Sequence, residues 1–545
     1  MHIAPPSMPR DTSMRFLPVR DDSILVELAD LAEALALFDA LETNPVDGIR
    51  EIIPAARTLL ISFDPSVISN EALTDAVAAL SGGERKAASG PLVEIPVRYD
   101  GEDLGEVAAI LGVSVTEVIR MHGESEYVAA FTGFAPGFAY LSGGDPRLNV
   151  PRRKSPRTRV PAGAVGLAGE FSGIYPKTSP GGWQLIGRTP LAMFDIDRAP
   201  ASLLQPGSRV RFRDMAADKA YEVSAPAKTA TAPVAASYSN CAIEVLAVGL
   251  PVLFQDLGRA GQANQGISVS GAVDRSSFKA ANRLVGNPVG TPALEISLGG
   301  FRFRMRGRGV IAVTGAFTPI TIVTTFGRKL SVAHGEAIAL DDGDIVSLGQ
   351  PTAGMRSYLA LRGGFDVTPV LGSAATDTLA QIGPAAPGAG AVIGIHPPVP
   401  GSTVAAPELP AFDMPDTVET VVLDVVMGPR TNWFTQSAVE NFLSQEWSVT
   451  PQSSRVGIRL SGEALERQNH SELPSEATVR GALQVPASGQ PVLFLADHPL
   501  TGGYPVIANV ARHHLDLAGQ IPVGAQIRFN AISAFAPRSI LGKYP

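Results

Sequence analysis

Apolar positions along the first 64 residues change period several times. Residues 23–28 read as a strand, whereas Leu31, Leu35, Leu37, Phe38 and Leu41 fall near one helical face. Residues 49–54 and 58–63 predict a hairpin, and residues 70–80 a second helix. This order implies a small α+β domain at 14–90, closed by the polar stretch 82–90. Residues 93–99 then read as a strand, and 104–111 with 115–123 as a short helical pair. From 127 to 212 come short apolar runs broken by Gly and Pro, the pattern of a compact β-barrel or sandwich, which bounds a second unit at 91–215.

Residues 216–240 are rich in Ala, Ser, Thr and Pro without periodicity and predict a linker. A strand at 242–248 restarts the pattern, and one clear helix follows at 275–285. This gives a β unit at 241–385. A loop-rich stretch at 384–410 opens a last β unit at 386–540, with helical pattern at 431–442 and 464–468. One internal echo stands out. Gly181-Gly182-Trp183-Gln184-Leu185-Ile186-Gly187 resembles Gly502-Gly503-Tyr504-Pro505-Val506-Ile507-Ala508, and each follows a small-residue strand about 20 residues upstream, at 163–167 and 481–485. The echo predicts one β-fold used twice.

Composition narrows the function. The 545 residues exceed what one core organises and suggest several domains. Gly (55) and Pro (45) favour turns and short strands. A net charge of −8 without a basic, aromatic-interleaved tract argues against nucleic acid. The single cysteine, Cys241, precludes an internal disulfide, and neither a secretory signal nor an apolar run of membrane-spanning length is expected. A cytoplasmic protein is expected, as a possible homo-oligomer.

Familiar catalytic motifs are missing from the sequence. It has no Gly-x-x-x-x-Gly-Lys-Ser/Thr phosphate loop, no His-Glu-x-x-His, no Cys/His cluster and no Gly-x-Ser-x-Gly elbow, so no metal site is expected. The adjacent His513 and His514 are expected to point to different sides at the surface. What remains is polar residues on glycine-rich turns. Gly133, Pro136 and Gly137 fix a tight backbone among aromatics, which suits approach to a planar or anionic ligand or, equally, a turn in an aromatic core. Arg152 and Arg153, with Arg157 and Arg159, add positive charge nearby. Asp274 precedes a helix as a cap or as an acid, and Asn282 is an unusual helix-interior residue. Asp497 and His498 precede the second Gly-Gly loop as acid/base groups or as turn ligands.

Together these stretches resemble a known family. Residues 133–141, 159–167 and 179–189 are similar to allophanate hydrolase subunit 1, also called the B component of 5-oxoprolinase. Residues 255–259, 271–274, 281–287, 454–460 and 495–505 are similar to allophanate hydrolase subunit 2, the C component of 5-oxoprolinase. The resemblance runs from about 14 to 540. It implies a mainly β protein, with a small N-terminal α+β domain followed by cyclophilin-like β-barrels in both halves. It also implies the carboxyltransferase-like part of an ATP-dependent amidolyase built from several subunits. The partner would be a protein like the A component of 5-oxoprolinase, with ATP used by the complex at a site not identified in this chain. One alternative is the carboxyltransferase of a urea carboxylase-type complex, served by a biotin carboxylase and by biotin on a separate carrier. A non-enzymatic kinase-inhibitor module is another. The substrate would be a small amide or lactam. The catalytic candidates are His122, Asp274, Asn282, Asp497 and His498. The substrate-binding candidates are Gly133, Pro136, Lys177, Gly181, Gly182, Gly502, Gly503 and Tyr504.

Overall fold

The computed structural model describes residues 13–83, 90–153, 155–216, 241–534 and 538–541. The N-terminal unit is a five-stranded sheet in the order Ile49–Pro54, Thr58–Phe63, Ser23–Glu27, Ser13–Arg20, Arg538–Leu541. Helices Leu31–Thr43 and Asn70–Ala79 start where Asp30 and Ser69 accept backbone N–H bonds from Glu33 and Ala72. They bury Leu37, Leu41, Leu73 and Val77 against Phe16, Ile24 and Val26 on one sheet face. The opposite face, with Leu17, Val19, Leu25 and Leu60, packs on Ala477, Phe494, Leu500 and Val506 from the far end of the chain. With both faces covered, all of Ser23–Glu27 is buried, and its apolar residues Ile24, Leu25 and Val26 run consecutively rather than alternate with polar ones. The last strand leaves the unit drawn at 386–540 and pairs with the first, Ser13 opposite Leu541 and Phe16 opposite Arg538.

The first half carries a seven-stranded sheet in the order Gln184–Arg188, Ala164–Ala168, Phe171–Ile174, Ala139–Ser142, Glu126–Thr132, Arg209–Asp214, Leu92–Val97. A bridge between Arg98 and Arg188 brings its two outer strands together. The second half ends in a closed barrel of Val421–Met427, Val506–Val510, Ala482–Gln484, Val492–Phe494, Gly457–Ser461, Trp447–Val449 and Gln526–Ile532. The Gly-Gly echo corresponds in register. In the first, Leu185 faces Gly166 and Gly187 faces Val165, leaving Ile186 as a bulge. In the second, Val506 faces Gln484 and Ala508 faces Leu483, leaving Ile507 as a bulge. Both bulged isoleucines are fully buried. Gly163 and Gly481 sit at matching positions with φ of 79° and 92°, in the left-handed region that favours glycine. Both barrels also hold one parallel pair, Leu92–Val97 with Arg209–Asp214 and Val421–Met427 with Gln526–Ile532.

Between the barrels lies a two-sheet unit. One sheet has six strands, the other five, and Ile243, Phe254, Leu294, Phe301, Val313 and Leu359 share the core between them. Strand Val392–Gly394 pairs with Ala242–Ala247, so this unit continues past residue 385. Helix Arg275–Leu284 packs Phe278, Ala281 and Leu284 on Ala312, Tyr358 and Ala360. The region 431–442 splits into a 3-10 turn, Thr431–Trp433, and helix Gln436–Ser444 capped by Thr435. The helix expected at 464–468 does not form. Leu465 N–H is taken by the Gly489 carbonyl and Arg467 bridges Phe434, so these backbone groups bond across the fold instead of along a helix. The linker drawn at 216–240 lies, beyond its first residue, outside the described residues.

Candidate functional site at the junction of the two halves

The Gly133–Gly137 turn plugs into the second half. Gly137 N–H donates to the Gln265 carbonyl at 2.9 Å, and Thr132 Oγ1 donates to the Ala263 carbonyl at 2.7 Å. Phe134 takes φ of 62° and its N–H donates to Thr501 Oγ1 at 3.0 Å. A side chain at Gly133 would overlap Thr501, so glycine is required by the approach of the two halves. Pro136 is buried in the same turn. Beside it, the two Gly-Gly loops are joined through Arg152 and Arg153. Arg153 N–H donates to the Gly182 carbonyl at 2.8 Å, and the Arg152 guanidinium packs on Gly503. Arg152 also pairs with Glu472 at 2.9 Å and donates to Ser475 Oγ at 3.3 Å. Gly181 packs on the Tyr175 hydroxyl, and Gly502 packs on the Gln484 amide. Tyr504, 40% exposed, stacks under Arg467 at 5.8 Å.

A second contact brings Lys177 and Asp497 to one loop. The Lys177 ammonium crosses from the first half to donate to the Leu379 carbonyl. Asp497 Oδ2 accepts from Thr378 N–H at 2.8 Å and from its hydroxyl at 2.7 Å. Asp377 closes the loop by accepting from the Leu379 and Ala380 N–H groups, and it takes a bond from Ser268 Oγ. Burial, then the charge of Asp497, pushes the Asp377 carboxyl up to about 6. Burial also lowers Lys177 from its usual value, with Asp377 opposing. The Lys177 ammonium and the Asp377 carboxyl, brought together at this loop, offer one group that can hold an anion and one that can exchange a proton.

Behind the loop runs a continuous buried network. Arg455 binds both Asp497 and Glu295. Tyr358 donates to Glu295 at 2.8 Å, and Asp274 N–H donates to the Tyr358 oxygen at 2.7 Å. Asp274 caps the helix through Ser277 N–H and accepts from Gln520. Burial and the nearby Asp516 raise its carboxyl to about 6. Burial works to raise Asp497, but Arg455 outweighs it and holds the carboxylate below its usual range. Sequence reasoning missed Arg455, Glu295 and Asp377 as members of this chain of contacts. Arg455 and Glu295 lie far apart in the sequence, and only the fold shows that they face one another. A second missed cluster, Arg430 with Glu27 and Glu476, ties the N-terminal sheet to the last barrel.

Three catalytic candidates lie elsewhere. His122 is fully buried in the first barrel, with Nδ1 2.8 Å from the Tyr99 hydroxyl, Nε2 2.9 Å from that of Ser172, and its ring stacked on Phe212 at 4.2 Å. Burial lowers it to about 3, which favours the neutral ring in this core position. Asn282 is fully buried and donates to the Thr291 carbonyl at 2.8 Å, while its oxygen accepts from Asn287, which fixes the turn after the helix. His498 Nδ1 sits 3.0 Å from the Leu495 carbonyl, and burial lowers it to about 4. His513 and His514 do not diverge. A 3-10 turn, Arg512–His514, aims both at Asp424, and the three groups' ligand atoms lie within 4.8 Å of one another. His514 Nδ1 already accepts the Asp424 N–H at 2.8 Å and His513 Nε2 contacts the Asp424 carboxylate at 2.9 Å, so the cluster is internally satisfied. Among the described residues, no helix is long and apolar enough to cross a membrane.

Comparison with known proteins assigns both halves. A family profile for the carboxyltransferase domain, subdomain C and D, matches residues 14–204, and one for subdomain A and B matches residues 265–531. The C component of 5-oxoprolinase from Escherichia coli (strain K12) is 33% identical over 287 residues, 53% of this chain and 90% of that protein. The B component of 5-oxoprolinase from Bacillus subtilis (strain 168) is 42% identical over 189 residues, 32% of this chain and 78% of that protein. Urea amidolyase of Saccharomyces cerevisiae (strain ATCC 204508 / S288c) is 32% identical over 323 residues, 56% of this chain but 17% of that protein. The crystal structure of TTHA0988 superposes with a TM-score of 0.79 at 34% identity, covering 93% of this chain and all of that one. The chain belongs to the carboxyltransferase-domain family, and it joins a half of the 5-oxoprolinase B type to a half of the C type.

Proposed function

We propose that this chain is the carboxyltransferase-like part of an ATP-dependent 5-oxoprolinase, opening 5-oxoproline to glutamate with a partner like the A component of that enzyme. The observation that carries this reading is the junction. Counterparts of most of the B and C components share one chain, and Lys177 of the first half reaches the Leu379 carbonyl of the second. In this reading the partner handles ATP. Lys177 and Arg152 hold the negative charge of the activated substrate, and Asp377 relays a proton. The expected measurement is ATP hydrolysis by the full chain with that partner, stimulated by 5-oxoproline and not by urea. Lys177→Met should cut that stimulation about a hundredfold or more, the typical cost of losing a charge-stabilising donor.

Similarity to urea amidolyase supports a second reading, the carboxyltransferase of a biotin-dependent urea carboxylase-type complex. Stimulation by urea alone, requiring a biotin carboxylase and a separate biotin carrier, would select it. Silence with every partner, together with tight binding to a histidine kinase domain, would select an inhibitor module instead.

A further inference from the structure

A cavity of about 400 Å³ opens on the middle unit, between helix Arg275–Leu284 and strand Gly309–Phe317. The helix presents Ser276, Lys279, Ala280 and Arg283 to it at helical spacing, and Phe317 and His334 form the opposite wall as an edge-to-face pair at 6.0 Å. The segment at 408–411 forms its rim. Glu408 N–H donates to the Gly335 carbonyl, and Gly335, at φ of 71°, leaves room for the Glu408 carbonyl. Leu409 on this rim is 91% exposed and Phe317 38% exposed, so a solvent-facing apolar edge borders a polar wall.

Charge in the cavity is unevenly satisfied. Arg283 is bound by Glu408. The carboxylates behind the wall are also engaged, Asp274 by Ser277 and Gln520 and Asp516 by Ser276 and Arg480. Lys279 is paired with none of the described carboxylates, and the buried Nδ1 of His334 has no hydrogen-bond partner among the described residues. Burial lowers His334 from its usual value, against the hydrogen bond with the Thr318 backbone. Among the described residues, an ammonium without a carboxylate partner, lining one cavity with an unpartnered ring nitrogen and an aromatic ring, suits a small carboxylate with an apolar body.

We infer that this cavity is a binding site for a small amphipathic carboxylate, held by Lys279 with its apolar part against Phe317 and Leu409. The site is separate from the junction and does not depend on which amide the complex uses. Isothermal titration of the full chain with phenylacetate and its uncharged isostere phenylacetamide tests it. Phenylacetate should bind at least about tenfold tighter than the amide, as a charge-assisted contact requires. Lys279→Met should bring the two within about twofold at an unchanged melting temperature, and Lys279→Arg should keep the preference. Phe317→Ala should weaken both ligands. Equal binding of acid and amide, a preference that survives Lys279→Met, or no saturable binding of phenylacetate up to about 10 mM would overturn the site.

Discussion

The two barrels are built to one register and filled differently. In the second, Phe442 stacks on Phe529 at 4.7 Å, beside Trp447. In the first, the corresponding helix offers His122 to Phe212 at 4.2 Å, beside Tyr127. Each aromatic follows its strand partner. Trp447 pairs with Ile527 in the second barrel, and Tyr127 pairs with Val210 in the first. The same position therefore holds a hydrocarbon ring in one half and a hydrogen-bonded imidazole in the other. His122 is thus packed in the core with both ring nitrogens hydrogen-bonded, and burial alone does not mark it as catalytic.

The comparison predicts graded effects. Phe442→Ala should be the most damaging, at about 3–5 kcal/mol by chemical denaturation, because a large cavity opens in a core that cannot collapse. His122→Phe copies the second barrel into the first and strands the Tyr99 and Ser172 hydroxyls. It should cost about 1–3 kcal/mol and leave turnover of the reconstituted complex within about twofold. A larger loss of turnover with the fold intact would return His122 to the chemistry.

Acid sharpens the same contrast. His122 is lowered by burial to about 3 from an ordinary 6.5. Between those values the unfolded chain binds the extra proton. Stability present above pH 6.5 is therefore lost as pH falls toward 3, by up to about 1.4 kcal/mol per pH unit. His498, lowered to about 4, acts in the same direction in both proteins. The stability gap between wild type and His122→Phe should narrow on acidification, and a constant gap would mean that the imidazole titrates alike folded and unfolded. The smallest effect is expected at Arg467→Ala. Losing the guanidinium over Tyr504 should cost about 0.5–1 kcal/mol in a thermal melt.

Much of the architecture was legible in the sequence because it is local. The hairpin Ile49–Pro54 with Thr58–Phe63 and the helices Leu31–Thr43 and Asn70–Ala79 follow from period, and the cap of helix Arg275–Leu284 from Asp274. The echo around Gly181 and Gly502 was legible because a shared bulge and turn demand the same small residues. What depended on distant partners was not. His122 looks alike in sequence whether it faces solvent or Phe212. Arg455, Glu295 and Asp377 become one network only once strands remote in sequence are adjacent. At Ala464–Gln468 a helical pattern yielded to cross-fold hydrogen bonds. Nothing in the sequence links Lys177 to Asp497, and the fold supplies the loop at Thr378 that joins them.

The pairing of Arg538–Leu541 with Ser13–Arg20 also bears on how the molecule is made. The first strand emerges from the ribosome with one side unfilled, and its partner is synthesised several hundred residues later. At about 5–20 residues per second that is roughly half a minute to two minutes during which a sheet edge stands open to wrong neighbours. Cut within 217–240, the same chain would have to lend this strand from one polypeptide to the other. Joining the halves keeps the donor and the gap on one molecule, so completion of the N-terminal sheet does not depend on concentration.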